Sequence, residues 1–99
     1  MKMTIGHFLF RRLREIGVSH IFGVPGDFNL QLLEQLSEID GIDFVGTCNE
    51  LNASYAADGY ARASGRVGVA MATSGPGATN TVTGLATAYC DSIPLVVFT

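Results

Sequence analysis

The sequence predicts an α/β fold, a parallel β-sheet with helices on both faces. Short β-prone runs alternate with longer helical stretches in the order αβαβαβαβ, and strands joined by helical crossovers pair in parallel with right-handed connections. The runs at 67–73 and 95–99 are apolar almost throughout, as central parallel strands covered on both faces should be. The chain has 99 residues, 47% apolar and 15% charged, which is more core and less surface than a typical small domain carries.

Each element has a local cause. Thr4 caps a first helix whose apolar positions Ile5, Phe8, Leu9, Leu13 and Ile16 recur at three- and four-residue spacing, and Gly17 ends it in the left-handed conformation. His20 to Val24 reads as a strand, stopped by the turn formers of Gly23-Val24-Pro25-Gly26-Asp27 before a second helical pattern at Leu30, Leu33 and Leu36. Ile42 to Val45 reads as a strand, after which Asn49 caps a helix rich in Ala53, Ala56, Ala57 and Ala61 that ends near Gly65. Val67 to Thr73 is β-prone, Ser74-Gly75-Pro76-Gly77 turns the chain, a helix runs from about Ala78 to Cys90, and Pro94 to Thr99 forms the last strand.

Composition narrows the function classes. A net charge of −3 with scattered basic residues gives no basic face for nucleic acid, and Arg11, Arg12 and Arg14 share a solvated helix face with Glu15. No run approaches the roughly 18 apolar residues of a membrane span and no signal peptide opens the chain, so a cytoplasmic protein is expected. Cys48 and Cys90 are too few and too distant for a metal site or disulfide framework, and burial as small apolar side chains is expected of both. His7 and His20 have no nucleophile or ligand partner in the pattern, and no metal site is expected. Fourteen of the fifteen charged residues lie in positions 1–66, Asp91 being the exception. The back third therefore expects cover from other protein. With the chain stopping at an apolar strand, residues 1–99 are expected to be one incomplete domain of something larger.

Ligands bind at the carboxyl ends of the strands in open parallel sheets, so the loops Val24–Phe28, Gly46–Glu50 and Thr73–Gly77 are the candidates. Gly75-Pro76-Gly77-Ala78-Thr79-Asn80 leads into a helix but is neither G-x-G-x-x-G nor a P-loop, and taken alone it is better explained by a tight packing turn than by a ligand. Glu50 opens an otherwise small and apolar helix, as a first-turn carboxylate stabilised by the helix dipole or as a functional group. Asp27 has the same two readings, a helix cap or a loop carboxylate presented to a ligand.

Taken together, Gly23-Val24-Pro25-Gly26-Asp27-Phe28-Asn29, the segment Asn49 to Arg62 and Thr73-Ser74-Gly75-Pro76-Gly77-Ala78-Thr79-Asn80 resemble the pyrimidine-binding domain of thiamine-diphosphate enzymes of the pyruvate decarboxylase and acetolactate synthase group. The resemblance covers essentially the whole chain. It is mixed within the group. Asp27-Phe28 and Asn49 to Ala53 look like pyruvate and indolepyruvate decarboxylases, whereas Gly75 to Asn80 and Ala88-Tyr89-Cys90-Asp91-Ser92-Ile93-Pro94 look like acetolactate synthases. Asp27 weighs more, because the synthases generally lack it, so the resemblance implies a lyase that decarboxylates a 2-oxo acid to an aldehyde, with acetolactate synthase the alternative.

The resemblance also implies roles. The glutamate matching Glu50 hydrogen-bonds the pyrimidine ring of thiamine diphosphate and favours the imino form that removes the C2 proton, which needs a carboxyl held away from water. Pro25, Gly26, Pro76 and Asn80 match positions that line the pyrimidine, and the aspartate matching Asp27 takes part in proton transfers after carbon dioxide leaves. In relatives Mg2+ and the diphosphate are held by a second domain with a Gly-Asp-Gly motif, which has no match here, and some synthases keep FAD. The active site forms between subunits, so a homodimer or homotetramer is implied and the 99 residues alone should be inactive. Two non-enzymatic readings stand beside this one: a stand-alone dimerising remnant, and a generic nucleotide-binding α/β module in which Glu50 only caps a helix.

Overall fold

The computed structural model describes residues 2–99. In chain order the elements are α1 (Ile5–Glu15), β1 (His20–Gly23), α2 (Leu30–Ser37), β2 (Asp43–Gly46), α3 (Glu50–Ser64), β3 (Gly68–Met71), α4 (Pro76–Asn80), α5 (Val82–Cys90) and β4 (Leu95–Phe98). The strands form a sheet in the order β2-β1-β3-β4, and every neighbouring pair is parallel. The predicted class is the one observed.

The caps are where the sequence puts them. Thr4 Oγ1 accepts the His7 N–H at 3.1 Å, Asn49 Oδ1 accepts the Asn52 N–H at 2.8 Å, and both close an open helix N-terminus. Gly17 and Gly65 follow α1 and α3 with φ of +96° and +71°. Each sheet face has its own core, because successive strand residues point to opposite sides. Ile21, Val69 and Met71 pack with Phe10 and Leu13 of α1 and Leu36 of α2. On the other face Ala70 meets Ala53 and Ala57 of α3, flanked by Phe22, Leu95 and Val97.

Tyr60 anchors the far end of α3 to β1. Its ring lies against His20 and Phe22, and its hydroxyl accepts the Ser19 N–H at 3.2 Å and bonds Ser19 Oγ at 2.9 Å. Burial pushes the phenol's pKa up, but the Ser19 hydrogen bonds and the Arg66 guanidinium outweigh it and hold the group below its ordinary value.

Several expectations need correction. In α1 the buried positions are Gly6, Phe10 and Leu13, whereas Ile5 is 87% exposed and Phe8 and Ile16 are exposed. The inward stripe passes through Gly6, which faces Leu32 and Gln35 of α2 and which a search for apolar side chains passes over. Phe8 instead lies under the Arg12 guanidinium, 5.3 Å from the ring centre. The expected helix from Ala78 to Cys90 is two helices joined at Thr81. The Thr81 hydroxyl donates to Ala78 O at 2.7 Å, and its N–H reaches the same oxygen at 3.1 Å, a tightened turn that interrupts the regular ladder. β3 is buried along its length, but β4 lies at the sheet edge with Val96 exposed, so it is not covered on both faces. Cys48 and Cys90 are both exposed: one sits in the loop before α3, the other on the outer side of the last turn of α5.

α3 and α5 lie side by side through small residues. A Cβ added to Gly84 would run into the Ser54 side chain, with the Ser54 carbonyl carbon 2.9 Å away, so only glycine permits this approach. Gly84→Ala is therefore expected to destabilise the protein by about 1–3 kcal/mol in urea unfolding. A loss within the roughly 0.5 kcal/mol of an ordinary surface change would show that the helices are not in this contact.

Candidate functional site

Three loops meet at the carboxyl edge of the sheet. The first, after β1, is folded around Asn29, a buried side chain whose Oδ1 accepts the Gly26 N–H at 2.8 Å and whose Nδ2 donates to Val24 O at 3.3 Å. The second, after β2, is tied to the end of β1 and folded on itself: the Thr47 N–H donates to Gly23 O at 2.9 Å and the Thr47 hydroxyl to Asn49 O at 2.8 Å. The third, after β3, turns at Gly75, with φ 68° and ψ −126°, and enters α4 with Pro76 in its first turn. The Thr79 N–H and hydroxyl both donate to Gly75 O, at 3.0 and 3.2 Å.

Glu50 is the first residue of α3, where the helix dipole favours a carboxylate. Its Oε2 accepts from Asn80 Nδ2 at 3.3 Å, a contact across thirty residues of sequence. Its Oε1 has no hydrogen-bond partner among the described residues and lies over Gly77, where a Cβ would stand 3.2 Å from it and 3.2 Å from Thr73 Oγ1. Glycine at 77 leaves this carboxylate room. Glu50, Pro76, Gly77, Thr79 and Asn80 line one open depression, in which Glu50 is the one charged side chain. The carboxylate is half-buried, so the chain by itself does not seal the site from water.

The structure brings Glu50, Pro76 and Asn80 together and leaves Pro25 and Asp27 on the neighbouring loop. Both of these are exposed. Gly26 connects the two groups, because its α-carbon packs against the Thr73 methyl on the opposite side from Gly77. Asp27 does not cap α2: the helix starts at Leu30 with Asn29 in the cap position, and among the described residues no hydrogen bond or ion pair holds the Asp27 carboxylate. Gly77 and Thr79 line the same depression, and Thr73 packs beside Gly77, although sequence reasoning did not single them out. Gly77 was signalled by the Gly-Pro-Gly turn, whereas the place of Thr73 follows from loop convergence alone. His7 bonds Glu38 at 2.7 Å on the α1–α2 side, away from these loops. No group of three or more His, Cys, Asp or Glu lies together among the described residues.

Residues 3–99 match the family described as thiamine pyrophosphate enzyme, N-terminal TPP binding domain. The chain is similar to pyruvate decarboxylase isozyme 3 of Saccharomyces cerevisiae, 47% identical over 92 residues covering 93% of this chain and 16% of that protein. It is similar to the acetolactate synthase large subunit of Lactococcus lactis subsp. lactis, 50% identical over 99 residues, 99% of this chain and 17% of that one. Pyruvate decarboxylase 2 of Arabidopsis thaliana is 50% identical over 93 residues, 94% of this chain and 15% of that protein. The chain spans about a sixth of the length of these relatives.

Asn29 is the tie of the first loop. Asn29→Ala removes both of its hydrogen bonds, and a loss of about 1–3 kcal/mol is expected in thermal unfolding, with the Gly26 amide exchanging faster. An unchanged Gly26 exchange rate would mean that the loop is held by other contacts.

Proposed function

The chain belongs to the family of thiamine pyrophosphate enzyme N-terminal TPP binding domains, and from that premise we propose that its carboxyl-edge site holds the aminopyrimidine ring of thiamine diphosphate against Glu50. The observation that carries this reading is the unpaired Glu50 Oε1 over Gly77. The open depression beside that oxygen gives a flat heterocycle access to it, with Pro76 as an apolar wall and Asn80 beside the carboxylate. The residues present therefore suit the ring. They do not suit a magnesium ion, since no cluster of hard ligands lies among the described residues, and we assign Mg2+ and the diphosphate to protein outside these residues, on a second subunit of a homodimer or homotetramer.

Thiamine diphosphate, when bound, supplies the carbanion and electron sink that cleave a bond next to a ketone. The chain supplies the proton chemistry. Asn80 donates to Oε2 and leaves Oε1 as the atom that would meet the ring and relay its proton. The α3 N-terminus and the Asn49 cap keep the Glu50 backbone in place. Protein packed over the open depression would exclude water and strengthen such a hydrogen bond.

The reaction we favour is non-oxidative decarboxylation of a 2-oxo acid to an aldehyde. Its support is Asp27, without a partner among the described residues, on the loop that shares Thr73 with the site; once it has taken up a proton its carboxyl group would return that proton to the product carbon and become the carboxylate. Acetolactate synthesis is the second reading, since a synthase and a decarboxylase alike are 50% identical to the chain; FAD would belong with it.

Glu50→Gln, in the complete enzyme supplied with thiamine diphosphate and Mg2+, is expected to slow exchange of the cofactor C2 proton by roughly 10²- to 10⁴-fold with an unchanged circular dichroism spectrum. Near-normal exchange would refute the assignment. Asp27→Asn is expected to preserve carbon dioxide release while slowing aldehyde formation. If aldehyde forms at the parent rate, Asp27 has no part in the chemistry.

A further inference from the structure

The far ends of α3 and α5 carry a charged bridge that the proposed chemistry does not use. Arg62 Nε donates to Asp58 Oδ2 at 2.8 Å within α3, and Nη2 donates to Asp91 Oδ2, in the residue after α5, at 2.7 Å. The two carboxylates, Asp58 first, hold the guanidinium still more firmly protonated than usual. The Asp58 side chain is only 8% exposed, and its Oδ1 is buried with no partner among the described residues. A buried carboxylate with an empty oxygen is poor design for stability alone, since an apolar side chain would avoid the desolvation cost. It suits a part whose task is to fix geometry.

The geometry points to that task. α3 begins at Glu50 and α5 follows Asn80 after the single residue Thr81, so both helices start at the site and end at the bridge. Between these ends they touch at Ser54–Gly84 and at Tyr55–Thr87, where the two hydroxyls are 3.0 Å apart. α5 has no side-chain cap at its start and no basic residue in its last turn. We propose that the Asp58–Arg62–Asp91 bridge is a positioning device that sets the register of α5 along α3 and thereby keeps Asn80 on Glu50. This rests on reading Glu50 and Asn80 as the pyrimidine site. The Asn80–Glu50 bond, at 3.3 Å, is longer than most such contacts, so it depends on the helices keeping their register.

Asp91 is 55% exposed, which makes Asp91→Ala a mild substitution, while Asp91→Asn keeps an oxygen to accept from Arg62. The Asn80 side-chain amide resonance, recorded without cofactor, is expected to move in Asp91→Ala and to return in Asp91→Asn. The thiamine diphosphate concentration for half-saturation should rise roughly two- to fivefold in Asp91→Ala with kcat at saturation unchanged, and recover in Asp91→Asn. An unmoved Asn80 resonance, even with a lower Tm, overturns the proposal, as does an unchanged half-saturation concentration. If the parent protein does not bind thiamine diphosphate the site reading fails, and the Asn80 resonance alone decides whether the bridge sets the register.

Discussion

The side chain of Thr73 stands between Gly26 and Gly77, with no space for a β-carbon on its methyl side and little on its hydroxyl side. That crowding brings the loops after β1 and β3 together, and the Thr47 bond to Gly23 draws the loop after β2 against them. Parallel pairing of β1 with both β2 and β3 sets the starting points of all three. Two residues without side chains at this junction then leave Glu50 an open oxygen in place of a packed neighbour.

The helices that carry the site are held by small residues, not by large apolar ones. Ala53 and Ala57 seat α3 on Ala70, and Ser54 meets Gly84 of α5. Short side chains lose little rotamer entropy on packing and let backbones approach closely. They also provide little area to resist sliding, and the polar bonds at either end, Asn80 to Glu50 and Arg62 to its two aspartates, supply directional contacts that packing lacks. Polar positioning and apolar support are thus divided along the same pair of helices.

Much of this was legible in the sequence because the signals were local. Thr4 and Asn49 announce helix starts, Gly17 and Gly65 announce ends, and the alternation of strand and helix fixes the parallel sheet. The second and third motifs likewise pointed to Glu50, Pro76 and Asn80, which the fold gathers, while Pro25 and Asp27 of the first stay on the neighbouring loop. What stayed hidden depends on partners distant in sequence. Gly6 becomes a buried helix position only because α2 lies against it, Thr81 breaks a helix by the bond its own hydroxyl makes, and the outward faces of Cys48 and Cys90 follow from where the helix ends fall. α2 starts after Asn29 with no side-chain cap, because the asparagine amide is spent on closing the loop over Gly26 and Val24, a closure no spacing rule foretells.

A crystal structure of the complete enzyme grown with thiamine diphosphate and Mg2+ tests the pyrimidine site most directly. The aminopyrimidine ring is expected beside Gly77, with a ring nitrogen within hydrogen-bond distance of the Glu50 carboxyl and Asn80 still on its other oxygen. A ring bound elsewhere, with Glu50 touching only Asn80, would contradict the assignment.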